Sequence, residues 1–154
     1  MIVAWRLVKW SRRDEAFTGE GAKRYPGRWN QRGQRVVYLA ESVGLAVLET
    51  WVHVEPAQVL LHFALIRVEI PDSLRIRELD KRVLPRNWNR NPPSASTRAL
   101  GGRWLEQERT PLLRVPSVVA PHATNLLFNP MHPQAVRVKT FPPERFRLDL
   151  RLLK

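Results

Sequence analysis

The sequence predicts one α+β domain, in which a mixed β-sheet packs against a few helices. Three observations predict this class. The chain has 154 residues, the size of a single domain. It is 44% hydrophobic and 26% charged, which is typical of a soluble globular protein. Short runs of β-branched and aromatic residues are frequent along it, whereas two segments begin with helix-capping serines. We therefore expect residues 1–154 to form one domain.

The first half of the chain contains the predicted β-rich segments and the first helix. Ser42 is a good N-cap for a helix running to about Val54. The stretch Ser11–Arg35 is predicted to be irregular, and irregular stretches of that length are often functional. The predicted strands are Ile2–Trp10, Arg35–Ala40, Val59–Ile70 (one long strand or a pair) and Arg75–Leu79.

The second half is predicted to hold one helix and the remaining strands. Pro85–Pro93 cannot be a regular element, because prolines fix φ and remove backbone donors. Ser94 or Ser96 can cap a helix running to about Arg109. Its apolar face is predicted to comprise Ala99, Leu100, Trp104 and Leu105. The predicted strands are Leu112–Val115, Asn125–Phe128, Val136–Thr140 and Phe146–Leu150.

Composition excludes several classes of function. The chain has no cysteine, which excludes disulfides, thiol nucleophiles and Cys-ligated metals. The four histidines (His53, His62, His122 and His132) have no metal-ligand spacing, so we expect no metal site. No apolar run approaches the ~18 residues of a membrane span. We expect no signal peptide at the N-terminal residues, because basic residues interrupt their apolar part. We expect a cytoplasmic domain without a membrane partner.

The net charge of +12 favours an anionic ligand or partner. A nucleic acid is one candidate, but the basic residues are spread along the chain and residues 41–80 are net acidic. A phosphorylated small molecule or an acidic protein fits equally well. Arginine far outnumbers lysine, which suits bidentate anion recognition, and a GC-rich coding bias would also produce it.

Two segments in the first third of the chain hold candidate functional residues. Glu49 lies on the predicted helix from Ser42, which is apolar on nearly all sides, and a carboxylate there is costly unless it is paired or used. The alternative is a position on a solvated edge beside Thr50 and His53. The stretch Gly19–Gly33 is rich in glycine and arginine, so it can approach an anionic ligand closely. The alternative there is an ordinary surface loop.

Two further segments lie in the last third. Ser117 follows Pro116 in an apolar stretch without the surroundings of a nucleophilic serine, so it is either a donor to a ligand or a strand-end serine. Asn129 precedes Pro130, which biases it toward extended geometry and fixes its amide. His132 lies in the same loop, and a single histidine in a loop is usually structural rather than a ligand.

Together and in this order, these segments resemble the RES-domain toxins of bacterial toxin–antitoxin systems. The similar segments are GEGAKRYPGRWNQRGQRVVYLAES, LAVLE, LPRNW, GGRWL, VPSVV and NLLFNPMHP. Pro26 departs from the glycine that many members have before the Gly-Arg step. The family is similar in fold to diphtheria-type ADP-ribosyltransferases, so the resemblance implies a split mixed sheet.

The resemblance also implies roles for individual residues. It implies that Glu49, Arg28 and Tyr38 are catalytic and that Arg28, Tyr38, Ser117 and Asn129 bind NAD+. The implied reaction is hydrolysis or phosphorolysis of the nicotinamide–ribose bond. It needs no cofactor beyond NAD+ as substrate, with inorganic phosphate as the alternative co-substrate to water.

The resemblance further implies a partner and leaves alternatives open. The implied partner is an Xre-like, helix-turn-helix antitoxin that binds DNA and blocks the toxin, in a complex that can contain a toxin homodimer. We expect no nucleic-acid binding by this chain itself. The alternatives are a mono-ADP-ribosyltransferase that modifies a protein, a basic nucleic-acid-binding module, and an inactive relative that only binds a partner.

Overall fold

The computed structural model describes residues 1–58 and 61–153, and its centre is one curled, mixed β-sheet. The strands are β1 Ile2–Lys9, β2 Val37–Ala40, β3 Phe63–Ile70, β4 Ile76–Glu78, β5 Leu112–Pro116, β6 Thr124–Phe128, β7 Lys139–Thr140 and β8 Glu144–Phe146. Their order in the sheet is β4-β5-β6-β2-β1-β3-β7, and β8 also pairs with β3. All the pairings are antiparallel except that of β4 with β5.

The sheet is split in the middle, between β1 and β2. β1 pairs with β3 along its whole length, whereas it pairs with β2 at one position, between Trp5 and Ala40. The side chain of Arg6 supplies a donor at this junction, because its Nη1 donates to the carbonyl oxygen of Tyr38 at 3.1 Å. The α+β class and the split sheet predicted from the sequence are therefore confirmed.

Three α-helices accompany the sheet in the described residues: α1 Glu20–Arg24, α2 Val43–Trp51 and α3 Ala95–Gln107. Both capping predictions are confirmed, with Ser94 rather than Ser96 starting α3. Ser42 Oγ accepts from Leu45 N at 3.1 Å and Ser94 Oγ accepts from Thr97 N at 3.3 Å. A serine oxygen at this position satisfies an N–H that has no partner within the helix.

The core consists of three apolar clusters around the sheet. One lies under β1, β3 and the middle strands, and a second joins α2 to β1 and β3. The third holds Trp29, Trp104 and Leu105 against Leu113 and Leu127 of β5 and β6. α3 and the loop before β2 therefore cover one face of the β5-β6-β2 half. No helix in the described part of the chain is long and apolar enough to cross a membrane.

Two predicted strands near the C-terminus were wrong in large part. Of the predicted strand Val136–Thr140, only Lys139 and Thr140 form a strand, β7, whereas Val136 and Arg137 lie in a 3₁₀ turn over Pro133–Arg137. The turn begins there because His132 Nδ1 accepts from Gln134 N at 3.1 Å and Pro133 fits the first turn. Phe146–Leu150 overlaps β8 only at Phe146. The chain then bends, and Asp149 Oδ1 accepts from Arg151 N at 2.9 Å.

Two other segments differ from prediction to a smaller degree. Ser11–Arg35 is not wholly irregular, since it contains most of a 3₁₀ turn over Trp10–Glu15 and all of α1. The predicted segment Val59–Ile70 is a single strand from Phe63, and its residues 59 and 60 lie outside the described residues.

Candidate active site

Three polar side chains share one face of the β5-β6-β2 half-sheet. Ala40 lies directly opposite Asn125, and Tyr38 lies two residues before Ala40 on the same strand. Val115 also lies opposite Asn125, and Ser117 follows Val115 by two residues. Directly paired residues and residues two apart on a strand point to the same side. Tyr38, Asn125 and Ser117 therefore belong to one face.

Glu49 of α2 meets this face through two short hydrogen bonds. Ser117 Oγ donates to Glu49 Oε1 at 2.7 Å, and Asn125 Nδ2 donates to the same oxygen at 2.6 Å. Ser117 Oγ in turn accepts from Ala120 N at 3.1 Å. Ser42 starts α2 and thereby sets the position of Glu49, so a helix cap and the ends of two strands fix one carboxylate.

The two donors on Oε1 leave the other carboxylate oxygen of Glu49 available. Within residues 1–58 and 61–153, the hydrogen bonds of the structure give Oε2 no protein donor. Hydrogen bonds to a charged acceptor are short and directional, so the pair holds the carboxylate plane in one orientation. The site thus presents one free carboxylate oxygen that can accept a bond from a ligand hydroxyl.

The glycine-rich loop before β2 is held together by Asn30, which is completely buried. Asn30 Oδ1 accepts from Gly27 N at 2.9 Å and from the Tyr38 hydroxyl at 2.7 Å. Its Nδ2 donates to the carbonyl oxygen of Ala22 at 2.8 Å. The Tyr38 hydroxyl also accepts from Trp29 N at 3.1 Å. Asn30 and Tyr38 together fix the turn that carries Arg28.

Two glycines allow β2 and α3 to pack closely against this turn. A Cβ on Gly27 would lie 2.7 Å from the Tyr38 hydroxyl oxygen, and a Cβ on Gly101 would lie 1.8 Å from the Trp29 carbonyl oxygen. Both distances are below van der Waals contact. The glycine of the Gly-Arg step and the first glycine of α3 are therefore needed for the loop to pack against β2 and α3.

Arg28 points from this turn toward the loop at Pro85–Pro93. Its Nη1 donates to the carbonyl oxygens of Trp88 at 2.8 Å and Arg90 at 2.7 Å. Burial lowers the pKa of the Arg28 guanidinium, and the negative charge of Glu49 acts in the opposite direction. Arg28 lies between Gly27 and Trp29, which both contact Tyr38, and Tyr38 belongs to the sheet face that Glu49 meets. The two side chains therefore belong to the same side of the half-sheet. Among the described residues, no protein group accepts a hydrogen bond from Arg28 Nε or Nη2.

A second guanidinium lies beside Arg28. Arg98 of α3 donates from Nε to the Gly27 carbonyl oxygen at 3.1 Å, and its positive charge contributes to the lowered pKa of Arg28. Two like charges that approach each other in a partly buried region favour an anion between them. The pair suits a phosphate or pyrophosphate group.

Burial shifts the pKa of two further groups around Tyr38. It raises the pKa of the Tyr38 phenol far above its usual value, despite the opposing bond from Trp29 N. It lowers the pKa of the Arg6 guanidinium to about 10. The Tyr38 hydroxyl is therefore a neutral structural donor at physiological pH, and its ring is the part that remains for a ligand.

Asn129 lies on the same strand face as Asn125 but past the opposite end of β6. Four residues separate the two asparagines, which corresponds to about 13 Å along a strand. Asn129 is buried, its Oδ1 accepts from Met131 N at 3.0 Å and its N–H donates to the Pro111 carbonyl oxygen at 2.9 Å. These bonds fix the loop after β6. His132 joins this loop to the end of α3, because its Nε2 donates to the Glu108 carbonyl oxygen at 3.0 Å.

The structure thus brings together four of the five predicted site residues, namely Glu49, Arg28, Tyr38 and Ser117. The site also contains Asn30, Asn125 and Arg98, which the sequence does not predict. Asn30 and Asn125 lie within the segments GRWN and NLLFNPMHP that resemble the family, but a sequence does not indicate which polar residue of a segment points inward. Arg98 lacked any signal, because its role depends on α3 packing against the Gly27 turn.

Other features of the described residues do not compete with this site. A hollow of about 440 Å³ is lined by Arg75, Arg77, Arg109 and Thr110, and none of these residues is a carboxylate or a nucleophile flanked by a base. No group of three or more His, Asp or Glu side chains in the described part of the chain is arranged to hold a metal ion. The candidate chemistry therefore centres on Glu49.

Comparison with known proteins gives close relatives along the whole chain. The chain is 40% identical over 152 residues to Toxin Res of Yersinia enterocolitica, covering 98% of this chain and 99% of that protein. It is 37% identical over 154 residues to the Prs ADP-ribosylating toxin of a Sphingobium strain, covering 97% of this chain and 96% of that protein.

A solved structure shares the fold. A chain of the Mycobacterium tuberculosis MbcT–MbcA toxin–antitoxin complex superposes with a TM-score of 0.78 at 17% identity, covering 95% of this chain and 84% of that chain. The RES domain family model matches residues 3–149. Because this match spans nearly all of the chain and the relatives match at full length, the chain belongs to the RES domain family.

Proposed function

We propose that this chain is the toxin of a toxin–antitoxin pair and that it cleaves the nicotinamide–ribose bond of NAD+. The observation that carries the proposal is the Glu49 carboxylate, which two donors fix on the sheet face that also carries Tyr38. Full-length relatives named as toxins support the toxin role.

One oriented carboxylate suits this reaction. Nicotinamide in NAD+ is a cation, so it takes the electrons of the C–N bond and leaves neutral, without needing a proton from a general acid. The ribose that remains has oxocarbenium character. Glu49 Oε2 can accept a bond from a ribose hydroxyl and place negative charge near that centre, and such preorganised electrostatics usually contribute more to catalysis than any other effect.

The basic pair beside Glu49 suits the remainder of the substrate. Arg28 and Arg98 offer two guanidiniums where the pyrophosphate of a dinucleotide needs charge-assisted bonds. The Tyr38 ring can pack on the nicotinamide or the adjoining ribose, since its hydroxyl is already used by Asn30. The acceptor that attacks ribose is water or phosphate. With water, one proton is released to solvent.

Nicotinamide release from NAD+ tests the proposal, measured with and without inorganic phosphate on protein freed of any inhibitor. Glu49→Gln and Arg28→Ala are each expected to lower the rate about 100-fold or more, as for a positioned catalytic group. Glu55→Gln and Arg32→Ala are matched controls, because both side chains are exposed, and they should retain the wild-type rate. Folded wild-type protein that leaves NAD+ intact with both acceptors would contradict the proposal.

A second candidate is transfer of ADP-ribose to a protein. The name of the Sphingobium relative favours it, and the same NAD+-binding residues would serve both reactions. Labelled NAD+ distinguishes the two activities. Label that moves onto protein in cell extract, together with nicotinamide release that depends on that extract, supports transfer. Release by the pure protein at the same rate supports hydrolysis or phosphorolysis.

We further propose that an Xre-like antitoxin covers this site in the cytoplasm, in a complex that includes a toxin homodimer. The similarity to a chain of a toxin–antitoxin complex and the net charge of +12 support an acidic protein partner. Co-expression with the protein encoded by a neighbouring gene is expected to restore growth and suppress nicotinamide release. Growth arrest that persists on co-expression, or nicotinamide release that persists in the co-purified complex, would contradict this partner.

A further inference from the structure

Asn125 is half-buried, and its amide makes one hydrogen bond fewer than its buried oxygen requires. Its Nδ2 donates to Glu49 Oε1 at 2.6 Å, while its Oδ1 is buried and has no hydrogen-bond partner. It is the one side-chain polar atom in the described residues with this property. Buried polar atoms without partners are rare and costly, so each needs an explanation.

The orientation of the Asn125 amide follows from its neighbour. If the amide were turned over, Oδ1 would face the Glu49 carboxylate oxygen at about the same short distance, and two acceptors would repel each other. The ionised carboxylate therefore forces Nδ2 toward itself and turns Oδ1 into a region without donors. The unpaired oxygen results from directing the amide N–H at Glu49.

The bond from Asn125 adds something that Ser117 alone does not. A single donor leaves a carboxylate free to swing around that bond, whereas two donors from neighbouring strands fix the position of Oε1. Ser117 follows β5 and Asn125 lies on β6, so the two donors approach from different strands. Because both donors hold Oε1, Oε2 can face a substrate from only one direction.

We propose that Asn125 is a positioning residue that, together with Ser117, holds Glu49 Oε1 so that Oε2 faces the substrate, and that its unpaired Oδ1 is tolerated for this function. The kinetic consequence rests on the proposed function. The contact between Asn125 and Glu49 does not depend on it.

Asn125→Leu is the main test, because leucine has nearly the same shape but neither donates nor accepts. We expect kcat for NAD+ cleavage to fall about 10- to 100-fold, the range for losing a hydrogen bond to a charged group. KM should change less than about threefold, because Asn125 is not placed against the substrate. The urea midpoint of unfolding should not fall below that of the wild type, because the unpaired oxygen is removed together with the bond.

Two comparison variants sharpen this test. Asn125→Asp keeps the shape but sets a second carboxylate against Glu49, so its kcat should be lower than that of Asn125→Leu. Thr110→Val removes a buried hydroxyl that bonds Trp104 Nε1 at 3.0 Å, at the other end of β5, so it should lower the unfolding midpoint and leave kcat unchanged. Wild-type kcat in Asn125→Leu, or a parallel loss of kcat and stability, would overturn the inference.

A measurement without substrate separates this inference from the proposed function. The shift in unfolding midpoint caused by Asn125→Leu should differ between the wild-type and Glu49→Ala backgrounds, because contacting residues are not additive. Equal shifts in both backgrounds overturn the positioning role even if the wild type cleaves NAD+. Unequal shifts in a protein that leaves NAD+ intact support the contact and contradict the proposed reaction.

Discussion

The Tyr38 hydroxyl shows how a single side chain acts through its surroundings. It is held by Asn30 and Trp29, and burial raises its pKa. The folded protein therefore keeps Tyr38 protonated at pH values where the unfolded chain ionises it. Because the unfolded state binds fewer protons above about pH 10, the free energy of unfolding falls as pH rises through that range.

The absorbance of tyrosinate tests this prediction. The chain has two tyrosines, so Tyr25→Phe leaves only Tyr38 to report. In this variant we expect no tyrosinate signal until the protein unfolds at alkaline pH, as followed by circular dichroism. In urea the same tyrosine should ionise near pH 10. A signal near pH 10 in the folded variant would show that the hydroxyl is accessible.

At the scale of single residues, the sequence identifies candidate functional residues whose chemistry is unusual for their local pattern. Glu49 is a candidate because a carboxylate interrupts an apolar helix, and Arg28 is one because it lies among glycines. Asn125 and Asn129 occur in one segment, and both have the same parity on the strand. Only the pairing of β6 with β5 and β2 shows which of them meets Glu49.

At the scale of elements, the approach of α3 to the Arg28 turn depends on Gly101. A Cβ there would lie 1.8 Å from the Trp29 carbonyl oxygen, which belongs to the backbone and cannot turn away. Helices normally disfavour glycine, so this residue is retained for packing. The position of Arg98, which bonds the Gly27 carbonyl oxygen, depends on the same approach.

Two alanine substitutions in helices should therefore have opposite effects. Gly101→Ala is expected to lower the free energy of unfolding by about 1–3 kcal/mol through overpacking, and to raise KM for NAD+ by moving Arg98. Gly44→Ala on α2 meets nothing within 4 Å, so it should raise stability by about 0.5 kcal/mol. Urea titrations and steady-state kinetics measure both effects. A stable, active Gly101→Ala protein would contradict the close packing.

Element boundaries were predictable where their signals are local. Ser42 and Ser94 start their helices as expected, because an N-cap needs only a side chain and the N–H three residues later. The boundaries of β7 and β8 are not predictable from local signals, because both strands are short and pair with β3, which is distant in sequence. Their formation depends on the edge of a sheet that no local pattern reveals.

At the scale of the molecule, substrate binding should stabilise the folded state. Glu49→Gln keeps the basic pair and slows cleavage about 100-fold or more, so little NAD+ is consumed during the measurement. At about 100 times Kd, binding adds about 2.7 kcal/mol, which raises Tm by roughly 5–10 °C for a chain of this size. Arg28→Ala and Arg98→Ala, each in the Glu49→Gln background, should reduce this shift. An equal rise in all three proteins would contradict the role of the pair.

The net charge is a property of the whole molecule, and the sequence alone left its partner open. A nucleic-acid-binding module would show tight binding to DNA that weakens steeply with salt. The scattered tryptophans instead serve as packing residues, since Trp29 and Trp104 are buried and Trp88 stacks on Trp29. We therefore expect weak DNA binding by this chain alone.

Glu49 and Arg28 are expected to contact the same NAD+ molecule. A crystal structure of the Glu49→Gln protein with NAD+ shows whether they do. We expect the nicotinamide ribose hydroxyls to lie within about 3.2 Å of the side chain at position 49 and the pyrophosphate to lie at the same distance from Arg28. NAD+ bound in the hollow lined by Arg75, Arg77 and Arg109, with neither of these contacts, would contradict it.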